Sequence, residues 1–242
     1  MLYGLDLFSG YGGITLALSE WVRPIAYCEI EHYAQGILLS RMSKGQLPNA
    51  PIWDDINTFP SEEFKGKVDI IYGGFPCQDI SVAGNGKGLA GERSGLFFKL
   101  CELVKEIKPT FVFLENVPAV RTRGLREVVR EFTNLGYDCR WTRVSAAEVG
   151  APHRRERWFL LAHSNGKRAQ SSIRDKNRPQ NRPKDSKKRK DSQFKLTQQS
   201  WWEVEPSVGR VVDGCPSRVD RLKALGNGVV PLQAKKAFMK LM

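Results

Sequence analysis

The chain has 242 residues, 41% of them hydrophobic and 10% aromatic, which suits one large domain with a small insert rather than two full domains. No apolar run approaches the roughly 20 residues that cross a bilayer. The N-terminal stretch Leu2-Tyr3-Gly4-Leu5-Asp6-Leu7-Phe8 has an early aspartate and no basic leader, so a membrane or secreted protein is disfavoured and a cytoplasmic one expected.

Cys28, Cys77, Cys101, Cys139 and Cys215 are odd in number, form no CxxC pair and have few histidines near them, which suggests neither a disulfide framework nor a metal site. The formal net charge is +12, and much of it is local: Asn165 to Ser200 holds twelve Lys or Arg against three Asp. Such clustering is the footprint of a phosphate-binding surface, with a solvated basic loop as the alternative.

In chain order, the first apolar run, Tyr3 to Leu7, predicts a strand and leads into Asp6-Leu7-Phe8-Ser9-Gly10-Tyr11-Gly12-Gly13, a glycine-rich turn before a helix over Gly13 to Ser19. Glycines let a backbone approach a ligand closely, and the carboxyl end of the first strand is where doubly wound sheets bind nucleosides. A second strand, Pro24 to Cys28, ends at Glu29 about 20 residues on, where a carboxylate can accept from a ribose diol. A helix follows over Ile30 to Arg41. Asp54-Asp55-Ile56 could then offer a carboxylate to an adenine amino group and an apolar side chain to its ring; a plain cap or turn is the alternative.

The strand Val68 to Tyr72 runs into Gly73-Gly74-Phe75-Pro76-Cys77-Gln78, a sharp loop that carries a thiol to the carboxyl edge of the sheet. A thiolate there can act as a carbon nucleophile if nearby cations lower its pKa; a buried small hydrophobe is the bland alternative. After a helix over Leu96 to Ile107, the very apolar strand Thr110 to Leu114 ends in Glu115-Asn116-Val117-Pro118. A carboxyl at the rim of an apolar site can have a raised pKa and donate a proton at neutral pH.

A helix over Leu125 to Leu135 and strands Tyr137 to Val144 and Trp158 to Ala162 complete the pattern. Between these strands, Pro152-His153-Arg154-Arg155-Glu156-Arg157 would place His153, Arg155 and Arg157 on one face. The alternation of strands and helices predicts an open, doubly wound α/β sheet with parallel strands. Composition turns polar and basic after Ala162, so the domain division is 1–162 plus 217–242, with 163–216 as an insert. Apolar spacing returns over Pro216 to Met242 and predicts a helix closing on the first domain.

As a set, these motifs resemble the C5 cytosine-specific DNA methyltransferase family, in order over nearly the whole chain outside Ala162 to Cys215. The cofactor loop resembles Phe8-Ser9-Gly10-Tyr11-Gly12-Gly13, the nucleophile motif Pro76-Cys77-Gln78, the Glu-Asn-Val motif Glu115-Asn116-Val117, and the late Gly-Asn motif Gly226-Asn227-Gly228-Val229-Val230. Arg93-Ser94-Gly95-Leu96-Phe97-Phe98 is similar to the segment whose leucine touches the cofactor, and Asp79 to Ser94 would be the loop that closes over DNA. His153 departs from the pattern, which usually has Gln there.

The resemblance implies a Rossmann-like fold that binds S-adenosylmethionine, with Phe8, Gly10, Tyr11, Gly13, Glu29, Ile30, Asp55, Ile56, Pro76, Leu96, Asn227 and Gly228 around the cofactor. It implies that Cys77 adds to C6 of a flipped-out cytosine in duplex DNA while Glu115 stabilises or supplies a proton at N3, making C5 reactive enough to take a methyl group. Arg157 would hold the base's O2 and favour the thiolate, Arg155 would lie near a phosphate, and the basic insert with Trp201 and Trp202 would recognise the target. A monomer without metal is expected. The competing readings are a tRNA cytosine-5 methyltransferase and a catalytically inactive DNA-binding relative; a dinucleotide-dependent oxidoreductase leaves Cys77, Glu115 and the insert unexplained.

Overall fold

The computed structural model describes residues 1–76, 95–165 and 228–242. Within them lie strands β1 (Leu2–Leu7), β2 (Val22–Cys28), β3 (Ile52–Trp53), β4 (Ile70–Gly74), β5 (Phe111–Asn116), β6 (Tyr137–Ser145) and β7 (Glu156–Ser164). The helices are α1 (Gly13–Leu18), α2 (His32–Ser43), α3 (Ser61–Phe64), α4 (Gly95–Ile107), α5 (Val120–Arg123), α6 (Leu125–Asn134) and α7 (Pro231–Leu241).

The strands form one sheet in the order β3-β2-β1-β4-β5-β7-β6. The β1–β2, β1–β4, β2–β3 and β4–β5 pairs are parallel, as the alternating pattern predicts. β7 departs from the all-parallel expectation and runs antiparallel to both β5 and β6. Only residues 146–155 separate β6 from β7, too few for the crossover helix a parallel pair needs, so the two close as a hairpin. That reversal brings the start of β7 to the edge of the sheet where the parallel strands end.

β5 is buried along its whole length, as a central strand covered on both faces must be, which accounts for its uninterrupted apolar run. On one face Leu5, Leu7, Val112, Leu114 and Trp158 pack with Phe97, Leu100 and Val104 of α4 and Phe132 of α6. On the other, Tyr72, Phe113 and Phe159 pack with Ile14 and Leu18 of α1 and Ala234, Phe238 and Leu241 of α7. The closing helix expected near the C-terminus is thus a wall of the core. Pro24 has no N–H to give the β1–β2 ladder, and the register shifts beside it, between Gly4 and Leu5.

Candidate active site

The order of strands reverses between β1 and β4, the switch point at which doubly wound sheets open a crevice beyond their carboxyl ends. The segments after β1, β2, β3, β4 and β5 all leave the sheet at that edge. Most of the sequence-predicted site residues lie on them.

The turn after β1 is built on left-handed backbone: φ is +54° at Phe8, +54° at Gly10 and +75° at Gly12. For Phe8 this conformation is a strained one of the kind concentrated at ligand sites. The Glu29 carboxylate holds the turn, one oxygen accepting from Gly10 N at 2.7 Å and the other from Glu31 N at 2.9 Å. Glu29 is buried, whereas the adjoining Ile30 is 65% exposed. Among the described residues other than its chain neighbours, no atom lies within 4 Å of where a Cβ on Gly10 would stand. A carboxylate with lone pairs to spare, an apolar side chain beside it and open space over a glycine fit a nucleoside: diol on Glu29, base on Ile30.

Ile56 is buried, and the Asp55 carboxylate accepts from Asn57 N at 2.9 Å, so Asp55 caps the following turn. Phe8, Ile56 and Leu96 belong to the apolar cluster that also holds Phe75.

Glu115 lies buried at the carboxyl end of β5. Arg157, at the start of the antiparallel β7, donates from Nε to Glu115 Oε1 at 2.8 Å. Burial pushes the Glu115 carboxyl up to about 7 against the opposing charges of Arg157 and then Arg155. Loss of hydration outweighs two guanidinium groups, which leaves this acid able to exchange a proton at neutral pH. Arg155 donates to the carbonyl of Gly228 at 2.6 Å, and its charge also acts on Glu115. His153 is exposed in the turn ahead of β7, which begins only at Glu156, so the expected alternation does not extend to it.

The loop after β4 is tied to the same place. Asn116 is buried and donates from Nδ2 to the carbonyl of Phe75 at 3.3 Å, while its Oδ1 accepts from Val117 N at 2.7 Å. Half-buried Pro76 ends this described stretch. Cys77, Asn227, Asp79 to Ser94 and most of the basic insert, with Trp201 and Trp202, lie outside the described residues.

Residues 2–213 match the family described as C-5 cytosine-specific DNA methylase. The chain belongs to this family. It is 37% identical over 159 residues to Type II methyltransferase M.CviJI of Paramecium bursaria Chlorella virus IL3A, covering 65% of this chain and 42% of the relative. It is 34% identical over 166 residues to Type II methyltransferase M.HhaI of Haemophilus parahaemolyticus, covering 66% and 49%. Among solved structures, S. pombe Dnmt2 methyltransferase is 25% identical with a TM-score of 0.55, covering 69% of this chain and 52% of that one. Entamoeba histolytica methyltransferase EhMeth shares the fold, with a TM-score of 0.57 at 17% identity over 69% of this chain and 54% of that one. The chain spans about half the length of the curated relatives it matches.

Membership in the C-5 cytosine-specific DNA methylase family agrees with the expected Rossmann-like methyltransferase sheet. The sequence reading missed the support beneath that family's glycine-rich turn. Asp6 is 1% exposed and accepts from Thr15 Oγ1 at 2.6 Å, and Thr15 in turn meets the Tyr72 hydroxyl at 2.8 Å. Burial, with the charge of Glu29 adding to it, pushes the Asp6 carboxyl up to about 8, while the Thr15 hydrogen bond opposes the rise. A carboxylate on an otherwise apolar strand was the available signal. Among the described residues no group of His, Cys, Asp and Glu could hold a metal ion, and no helix is long and apolar enough to cross a membrane.

Proposed function

We infer that this chain is an S-adenosylmethionine-dependent DNA (cytosine-5) methyltransferase acting on a flipped-out cytosine in duplex DNA. The observation that carries the reading is the buried Glu115–Arg157 pair: a carboxyl near 7 held 2.8 Å from a guanidinium at the carboxyl edge of the sheet. An acid that exchanges its proton at neutral pH suits the N3 atom of cytosine, and the guanidinium suits the O2 oxygen beside it. Arg157 and Arg155 also supply positive charge that would favour a thiolate on Cys77, next in sequence after Pro76. In this reading Cys77 adds to C6 and Arg155 lies by a phosphate.

The donors around the first turn fit the cofactor. Glu29 would accept from the ribose, Ile30 and Ile56 would flank the base, and Asp55 would face its amino group. Phe8, Gly10, Tyr11 and Gly13 would line the turn; Pro76, Leu96, Asn227 and Gly228 would close the remaining sides. When bound, S-adenosylmethionine supplies an electrophilic methyl group. We assign target recognition to 163–216, whose positive charge would meet phosphates, and the type II names of the relatives favour a role in DNA modification.

The test is methyl transfer from labelled S-adenosylmethionine to mixed-sequence duplex DNA and to tRNA, comparing wild type with Cys77→Ser and identifying the product base. 5-Methylcytosine in DNA from wild type alone is the expected result. Transfer only to tRNA, or to neither, overturns the reading.

A further inference from the structure

The site described so far accounts for Glu115, Arg155 and Arg157 but not for a glutamine on the closing helix. Gln233 is 0% exposed, on the face of α7 packed against the sheet. Its Nε2 donates to the carbonyl of Val144 at 2.6 Å and to that of Arg155 at 2.8 Å. Val144 is next to last in β6 and Arg155 immediately precedes β7, so a single amide spans both rims of the hairpin. Its Oε1 has no hydrogen-bond partner among the described residues. A fully buried amide that leaves its own oxygen unmet is an expensive way to fill space, and an apolar side chain would serve packing alone.

The rest of the helix's approach serves the same end. The Arg155 side chain donates to Gly228 O, so main chain and side chain of Arg155 are both held by residues 228–233. Within that stretch Val229 packs on Gly13 at the start of α1; a Cβ on Gly13 would stand 2.8 Å from Val229 Cγ1. One residue further into the hairpin turn, Ser145 and Glu148 form a reciprocal cap, Ser145 Oγ donates to the carbonyl of Arg154 at 2.6 Å, and Lys236 of α7 donates to Glu148 at 3.2 Å. The turn carrying Arg155 is therefore clamped from α7 rather than by the ladder of β6 and β7 alone.

We propose that Gln233 is a positioning residue, whose amide ties the carbonyl of Arg155 to that of Val144 and so holds the Arg155 guanidinium toward the Glu115 end of the crevice. The proposal rests on the methyltransferase reading for its effect on turnover; its effect on Glu115 rests on the clamp geometry and on the charge of Arg155. Arg157 and Arg155 are the charges that oppose the burial of Glu115. Loss of the clamp lets Arg155 withdraw, and the Glu115 carboxyl then titrates higher.

The variant is Gln233→Met, which keeps length and removes both donors. Its control is Phe238→Leu, a core change on the same helix, away from Arg155, that lowers stability without touching the clamp. Thermal melts, kcat and KM for duplex DNA, and a carbon-13 titration of the Glu115 carboxyl are measured on all three proteins. Gln233→Met is expected to lose about tenfold in kcat/KM, as a small misplacement near the chemistry does, and to titrate above wild type, while Phe238→Leu matches wild type in both. If Gln233→Met behaves as Phe238→Leu does, the residue is merely structural and the proposal falls. If wild type transfers no methyl group to DNA, the functional reading fails instead, and the Glu115 titration alone decides: a rise supports the clamp and an unchanged value overturns it.

Discussion

A Cβ placed on Gly74 would stand 2.7 Å from Oε2 of Glu115, and the registers of β4 and β5 set these two residues side by side. Glu115 cannot simply turn aside, because its other oxygen is held by Arg157. Gly74→Ala should therefore leave the fold intact and break the pair, lowering methyl transfer at least tenfold while the melting temperature moves by only a few degrees. Gly73→Ala should instead lower the melting temperature sharply and lose activity with the fold. Its Cβ would lie 1.9 Å from the carbonyl oxygen of Leu7, a backbone atom that cannot yield without parting β1 from β4. Melting curves and methyl transfer on both variants check the contrast, and a fully active Gly74→Ala protein would show that the Glu115 position is not critical.

The titration of Glu115 carries a stability consequence whose sign is fixed by its direction. The folded carboxyl titrates at about 7 against an ordinary 4.5, so between those values the folded chain holds the extra proton. That contribution is present in full below about 4.5 and is lost as pH rises through 7. Glu115→Gln stays neutral throughout, so its stability relative to wild type should increase from pH 5 to pH 8, by up to roughly 3 kcal/mol at about 1.4 kcal/mol per unit. Denaturant melts of both proteins at the two pH values measure the difference. The background slope from Asp6, also raised, is common to both and cancels. A difference that stays flat with pH would mean that Arg157 holds the carboxylate ionised.

How far the sequence reached follows from the range of the contacts involved. β5 was legible because Phe111 to Leu114 form an unbroken apolar run, and Glu115 stood out as the carboxylate that follows it. β3 was not, since a strand of two residues, Ile52 and Trp53, has no period to read. The direction of β7 was hidden in the shortness of a turn rather than in any apolar pattern. The Thr15, Tyr72 and Gln233 side chains gave no signal at all: Thr15 and Tyr72 meet across 57 positions, and Gln233 reaches back 89 to Val144. Such partners exist only once the sheet has closed. Glu29 was legible by its spacing from the glycine turn, but not that its oxygens are already engaged with Gly10 and Glu31.

That engagement makes a sharp case of Glu29→Gln. The carboxylate receives two backbone N–H groups, and an amide offers one oxygen and one NH2, so either Gly10 N or Glu31 N must face a second donor. A buried donor left unmet costs about 1–3 kcal/mol. The turn bearing Phe8 and Gly10 should loosen and S-adenosylmethionine affinity should fall by tenfold or more, measured by calorimetry on the unliganded protein. Unchanged affinity would exclude Glu29 as both ribose acceptor and brace of the turn.

Asn116 ties the loop after β4 to the end of β5, apart from the β1 turn. Its Nδ2 donates to the carbonyl of Phe75, which is 3% exposed, and Pro76 and Cys77 follow directly in the chain. Asn116→Ala removes that donor and also frees Val117 N from Oδ1. The carbonyl of buried Phe75 and the N–H of half-buried Val117 then want partners, and the loop after β4 can move to water to find them. Glu115 and Arg157 keep their own contact, and Glu29 with the β1 turn lies on other strands, so affinity for S-adenosylmethionine, reached only through Pro76, should fall far less than turnover, by no more than a few fold, while kcat for DNA falls tenfold or more. The alkylation rate of Cys77, followed by mass spectrometry, should change in parallel, against Cys28 and Cys101 as buried internal references. Equal loss of cofactor affinity and turnover would mean that Asn116 supports the whole edge of the sheet; no loss of either would mean that the loop holds its place without it.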